Sequence, residues 1–136
     1  MLAETSKPFS VLVVDDDPGN RQVAGSILNA AGYHVQTCEN GREAIDRCLV
    51  QAQLPDLILM SLQLPLLGGD ETAWFLRHED ATTDIPIIGL TKDAQRLADP
   101  KIRTLFDRLL TMPCNRKALL ETLDEALVPA SVAKPR

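Results

Sequence analysis

Pro55-Asp56-Leu57-Ile58-Leu59-Met60-Ser61 decides how this chain is read. Leu57 to Met60 are apolar without a break, the pattern of a strand buried on both faces, and the run stops on a small polar residue. Similar runs flank it. Val11-Leu12-Val13-Val14 ends in an acidic cluster, Asp15-Asp16-Asp17; Ile85-Pro86-Ile87-Ile88-Gly89-Leu90 ends at Thr91; Leu109 to Met112 reads as a short last strand. All these strand ends aim at one crevice, so residue 61 governs what that crevice can do.

Helical signals fill the intervals. Asp17-Pro18 is a helix start, with Asp as N-cap and Pro at the first helical position. Val23, Ala24, Ile27, Leu28 and Ala31 recur at helical spacing, and Gly32 ends that helix. Tyr33 to Cys38 alternates as an edge strand would, and Asn40-Gly41 turns the chain. Ala44, Ile45, Cys48, Leu49 and Ala52 give a second helix its apolar face. Asp70 is expected to cap a third helix running through Glu79, with Ala73, Trp74, Phe75 and Leu76 on its packed side. The segment 93–106 is interrupted at Pro100 and then resumes with Ile102, Leu105 and Phe106. Asn115 to Leu127 forms the last helix, facing inward with Leu119, Leu120, Leu123 and Leu127. Strands alternating with helices predict an α/β fold, a doubly wound five-stranded parallel sheet flanked by helices on both faces. In such folds ligands sit at the carboxyl ends of the strands.

A chain of 136 residues makes one domain, expected over 9–127 with flexible tails at 1–8 and 128–136. A net charge of −5 argues against nonspecific binding to nucleic acid or to an acidic membrane surface. No apolar run reaches membrane-spanning length and the N-terminus lacks a signal peptide's apolar segment, so a cytoplasmic location is the expectation. Three cysteines, Cys38, Cys48 and Cys114, have no metal-type spacing and fit reduced thiols there. No nucleophile–base pair is visible, so catalysis is not expected.

Taken in order, Leu12-Val13-Val14-Asp15-Asp16-Asp17-Pro18, Pro55-Asp56-Leu57-Ile58-Leu59-Met60, Leu64-Pro65, Gly68-Gly69, Ile85-Pro86-Ile87-Ile88-Gly89-Leu90-Thr91 and Leu110-Thr111-Met112-Pro113 resemble the receiver domain of two-component response regulators. The resemblance covers about 9–127. It implies the flavodoxin-like strand order 2-1-3-4-5. It implies that Asp15 and Asp16 match the acids that hold Mg²⁺, with the Gln63 carbonyl as a further ligand. Ser61 matches the aspartate that accepts the phosphoryl group from a histidine kinase. Thr91 matches the hydroxyl that senses phosphate, and Met112, before an expected cis-proline, matches the lysine that pairs with phosphoryl oxygens. Leu109 matches the aromatic switch residue. The resemblance therefore implies an intact frame whose acceptor and lysine are both missing.

Serine is a poor substitute for a carboxylate: its hydroxyl needs a base and yields a stable ester. A thioether cannot neutralise developing phosphoryl charge, which normally carries much of this catalysis. The two changes offset each other electrostatically. Three carboxylates and a lysine carry the same net charge as two carboxylates with Ser61 and Met112, the sign of a natural variant. Lys92 stands where the family has a small residue. Two readings of it are open, a solvated loop lysine and a tethered cation over Asp15 and Asp16. The expectation is a phosphorylation-independent receiver that needs no cofactor and retains only weak Mg²⁺ binding. It would work through a protein partner, a histidine kinase or a downstream signalling protein, on the 93–127 face around Ile102, Leu105, Phe106 and Leu109. The alternatives are a conventional receiver phosphorylated on a neighbouring Asp and a small-ligand sensor using the vacated crevice. Asp17 is read as a cap and not a ligand. His34, His78 and Cys114 are read as solvated or packed, and Trp74 as packing unless it is exposed.

Overall fold

The computed structural model describes residues 8–50 and 54–127. The tails expected at the two ends, and Ala52 of the second helix, lie outside the described residues apart from Pro8. Five strands, β1 (Ser10–Val14), β2 (His34–Cys38), β3 (Leu57–Ser61), β4 (Ile87–Thr91) and β5 (Arg108–Thr111), alternate with five α-helices. These are α1 (Pro18–Ala30), α2 (Gly41–Val50), α3 (Gly69–Arg77), α4 (Pro100–Leu105) and α5 (Arg116–Leu127). The strands are parallel, in the order β2-β1-β3-β4-β5. This is the flavodoxin-like arrangement, and β2 is the edge strand the alternating pattern of residues 33–38 predicts.

Strand geometry explains why the central runs are apolar throughout. Successive side chains point to opposite faces. Leu12, Val14, Ile58, Met60 and Ile87 pack with Ala44, Ile45, Ala73, Leu76, Ile102 and Phe106 of one helical layer. Val11, Val13, Leu57, Leu59, Ile88 and Leu90 pack with Leu28, Leu119 and Leu123 of the other. Leu57, Ile58, Leu59 and Met60 are all fully buried, so β3 is the middle of both cores. Each such side chain contributes about 1.5–3 kcal/mol.

Caps fix the helix ends. Asp17 accepts from the Gly19 N–H at 2.8 Å with Pro18 in the first turn, as read from the sequence. Gly32, at φ +99°, takes the left-handed position after α1. Asn40 accepts from the Glu43 N–H at 2.8 Å and opens α2. The segment breaks at Pro100 as the sequence predicts: a short 3-10 helix, Ala94–Ala98, ends ahead of it, and Pro100 begins α4 with Asp99 as the N-cap. Pro86 sits just ahead of β4, where only its carbonyl is used, by the Ile58 N–H at 3.0 Å.

Several details differ from the sequence reading. α3 is capped at Gly68, not Asp70, and stops at Arg77. The Gly68 N–H donates to Glu71 Oε1 at 2.9 Å, and Gly69 starts the helix pressed on β3. β5 ends at Thr111, one residue before Met112. Ile102 and Phe106, expected on an interaction face, are only 3% and 6% exposed because both belong to the core. Trp74 and Leu49, expected to be packed, are 54% and 45% exposed. Cys38 and Cys48 are buried free thiols, pushed up by burial to about 12 and about 11, and are thereby held as neutral packing groups.

Candidate functional site

At the carboxyl ends of β1, β3, β4 and β5 lies a cleft of about 270 Å³. Asp15, Asp16, Ser61, Gln63, Thr91, Lys92 and Met112 all line it. Register explains the meeting. Val14 is paired with Met60, Ser61 with Leu90 and Thr91 with Thr111, so the residues after each strand emerge at one level. Leu109 is not in the cleft; it lies half-buried within β5, packed against the core formed by Ile102 and Phe106.

Asp15 is the buried acid, 6% exposed. Its Oδ1 accepts from the Asp17 N–H at 3.0 Å, and the Asn20 amide lies 3.3–3.4 Å from both oxygens. Arg21 donates instead to the Asp15 carbonyl, at 2.8 Å. Burial raises the Asp15 carboxyl above its ordinary value, and Asp16 and Asp17 add to this by repulsion, against the hydrogen bonds of Asp17 and Asn20. Lys92 is exposed and, among the described residues, makes no ion pair with Asp15 or Asp16. Here it stands as a loop lysine at the cleft mouth and not as a tethered cation.

The Ser61 hydroxyl is occupied by its own loop. It donates to the Gln63 carbonyl at 3.2 Å and accepts from the Gln63 N–H at 3.3 Å. Thr91 repeats the pattern on β4, accepting from the Asp93 N–H at 3.0 Å. Met112 follows β5, with its N–H on the Thr91 carbonyl at 2.8 Å and a cis bond to Pro113. Its thioether contacts Cys114 Sγ at 3.8 Å. A lysine there would reach into the cleft with a charge; methionine presents only a polarizable apolar end.

The family model for the response regulator receiver domain matches residues 11–124. This chain belongs to that family. It is similar to the polar-differentiation response regulator DivK of Brucella anthropi, 36% identical over 121 residues, covering 88% of this chain and 97% of that one. Among solved structures it resembles the chemotaxis response regulator CheY4 of Vibrio cholerae at TM-score 0.80 and 30% identity, covering 88% of this receiver and 99% of that chain. It also resembles the receiver domain of a Pseudomonas aeruginosa sensor histidine kinase described with magnesium in its active-site cleft, at TM-score 0.80 and 27% identity, covering 88% and 98%. The receiver is thus a domain of two-component signalling.

Two features of the receiver escaped the sequence reading. Asn20, on the first turn of α1, joins the cleft by hydrogen-bonding Asp15; its place one turn after Asp17 was the available signal. Arg77 organises the opposite end of the α3–α4 layer. It donates to the carbonyls of Leu105 at 3.0 Å, Thr83 at 3.0 Å and Ile85 at 2.8 Å, and pairs with Asp107. A lone arginine at a helix end carries no sequence signal for such a role.

Proposed function

We propose that this receiver does not accept phosphate on the third strand and instead acts in two-component or phosphorelay signalling by protein contact alone. The observation that carries the reading is Ser61 at the end of β3, its hydroxyl already engaged with Gln63. No base is hydrogen-bonded to that hydroxyl among the described residues, so it is not activated as a nucleophile. Met112 supplies no cation for a transferring phosphoryl group. On this reading the equilibrium between partner-binding surfaces, which phosphate ordinarily biases, is set by the sequence itself or by the partner. The partner is a histidine kinase or a downstream signalling protein, and the domain catalyses nothing.

The donor set fits a hard divalent cation, weakly held. Asp15, Asp16 and the Gln63 carbonyl are all oxygen donors, the kind Mg²⁺ takes. Asp15 already accepts from Asp17 and Asn20, and the Gln63 carbonyl accepts from Ser61. Among the described residues no three acidic, histidine or cysteine side chains group as a metal site. Magnesium would supply charge neutralisation between the two carboxylates. Calorimetric titration should find Ser61→Asp binding Mg²⁺ about tenfold or more tighter than the parent, since one extra carboxylate joins the shell. Equal affinities would sink the argument.

Relatives such as DivK are named as polar-differentiation response regulators, which makes a differentiation-linked two-component pathway the setting we infer. Phosphorylation of a neighbouring acid is the competing reading, favoured by the survival of Asp15 and Asp16 in the cleft. Incubation of Ser61→Asp/Met112→Lys with acetyl phosphate and Mg²⁺ should restore an acid-stable, hydroxylamine-labile phosphate at position 61. Failure to label that variant would show that the frame, and not the two side chains, is what has been lost.

A further inference from the structure

A groove of about 720 Å³ separates α3 from the 3-10 helix and α4, away from the strand-end cleft. Its floor is apolar: Leu67, Phe75, Ile102 and Leu105 line it, and Ile102 leads directly into the core. Trp74 rises on the α3 side, 54% exposed. It is held in place by His78, whose ring stacks on the indole at 3.9 Å between centroids. His78 Nδ1 also lies 2.8 Å from the Trp74 carbonyl. Beside Leu67, Leu66 is 85% exposed and held at φ +70°, a conformation leucine rarely adopts. Its neighbours close a tight turn, the Leu67 N–H on the Pro65 carbonyl at 2.7 Å. An anchored aromatic and a strained, exposed leucine beside an apolar trough form a patch that water does not favour.

Charge is sorted across this groove. Asp70 and Glu71 stand on the α3 rim, Arg96 and Lys101 on the rim formed by the 3-10 helix and α4. Asp99, on that second rim, is used as the cap of α4, accepting from the Lys101 N–H at 2.9 Å. Arg96 reaches across to Asp70 only at 3.7 Å, and Lys101 has no ion-pair partner among the described residues. A two-fold axis lying along the groove would set each acidic α3 rim against the basic α4 rim of another copy. A two-fold interface also demands that one patch carry both knob and hole. Here the knob, Trp74, stands beside the hole.

We propose that this groove is a self-association face filled by a second copy of this chain, the Trp74 of one protomer seating in the groove of its partner. The pairing is symmetric and uses a surface separate from the strand-end cleft. It does not depend on whether the cleft accepts phosphate.

The only tryptophan of the chain is the reporter. Sedimentation equilibrium of the full chain from micromolar to near-millimolar concentration should show a monomer–dimer equilibrium. Tryptophan emission should shift to the blue in step with it. Trp74→Ala should weaken association about tenfold or more with the melting temperature little changed, as for a buried aromatic anchor at an interface. Lys101→Glu and Asp70→Lys should each weaken self-association, while the two variants mixed should form a heterodimer at least as well as the parent forms its homodimer. A purely structural role for these residues would not produce that rescue. A monomer at every concentration overturns the proposal. So does a dimer indifferent to Trp74→Ala, or a Trp74 buried only by a different protein, which would assign the groove to that partner.

Discussion

Ser61 closes its own turn, and the proposal that this receiver does not accept phosphate begins from that small fact. The hydroxyl that faces the cleft has its donor and an acceptor lone pair spent on Gln63. Thr91 is spent on Asp93 in the same way. Asp15 is the buried member. Its carboxyl is raised by burial, so between the ordinary carboxylate value and the raised one the folded state binds more protons than the unfolded state. Stability therefore falls as pH rises through that window, and the cost stands in full at neutral pH. In the absence of divalent cations, Asp15→Asn should raise the urea midpoint at pH 7 and flatten this part of the pH profile. The Asp17 N–H keeps an acceptor in that variant. A lower midpoint at neutral pH would show that the carboxylate's hydrogen bonds outweigh its burial. Arg77 belongs to the same scale. Arg77→Met leaves three carbonyls and Asp107 short of a donor, and should cost about 2–4 kcal/mol in denaturant unfolding. A loss under 1 kcal/mol, about the value of an exposed pair, would deny it that role.

Elements differ in how plainly the sequence announces them. β3 was legible because burial on both faces leaves no room for polar alternation, and α1 because Asp17 and Pro18 mark its start chemically. The start of α3 was not, because what sets it is tertiary. A side chain at Gly69 would meet the Ser61 carbonyl at 2.3 Å, a contact no local pattern encodes. Gly25 is the opposite case, an interior position of α1 where a Cβ would find nothing nearer than Val35 Cγ1 at 4.0 Å. Gly25→Ala should therefore stabilise by about 0.5–1 kcal/mol, and Gly69→Ala should destabilise by about 2 kcal/mol or more. Thermal unfolding of the two variants checks both signs, and a stable Gly69→Ala would mean the β3–α3 loop yields easily. The α4 region was misread for a related reason. Ile102 and Phe106 look like a surface stripe in sequence, yet the absent side chain at Gly89 lets Phe106 and Leu109 close over β4. Periodicity reports that a face is apolar, not which side of the molecule covers it.

The molecule as a whole keeps the receiver architecture. Its sheet order, its two acids, its strand-four hydroxyl and its cis proline are all present. Most of the candidate cleft could be assembled from sequence because parallel strands deliver their ends to one edge. What stayed hidden was how each side chain is spent once there, since hydrogen bonds within a loop leave no periodic trace. The central claim is that this scaffold presents no usable phosphoryl acceptor. Intact-mass spectrometry of the wild-type chain after acetyl phosphate and Mg²⁺ tests it most directly. The account predicts an unmodified mass, whereas one phosphate per chain, mapped to Asp15 or Asp16 and released by hydroxylamine, would contradict it.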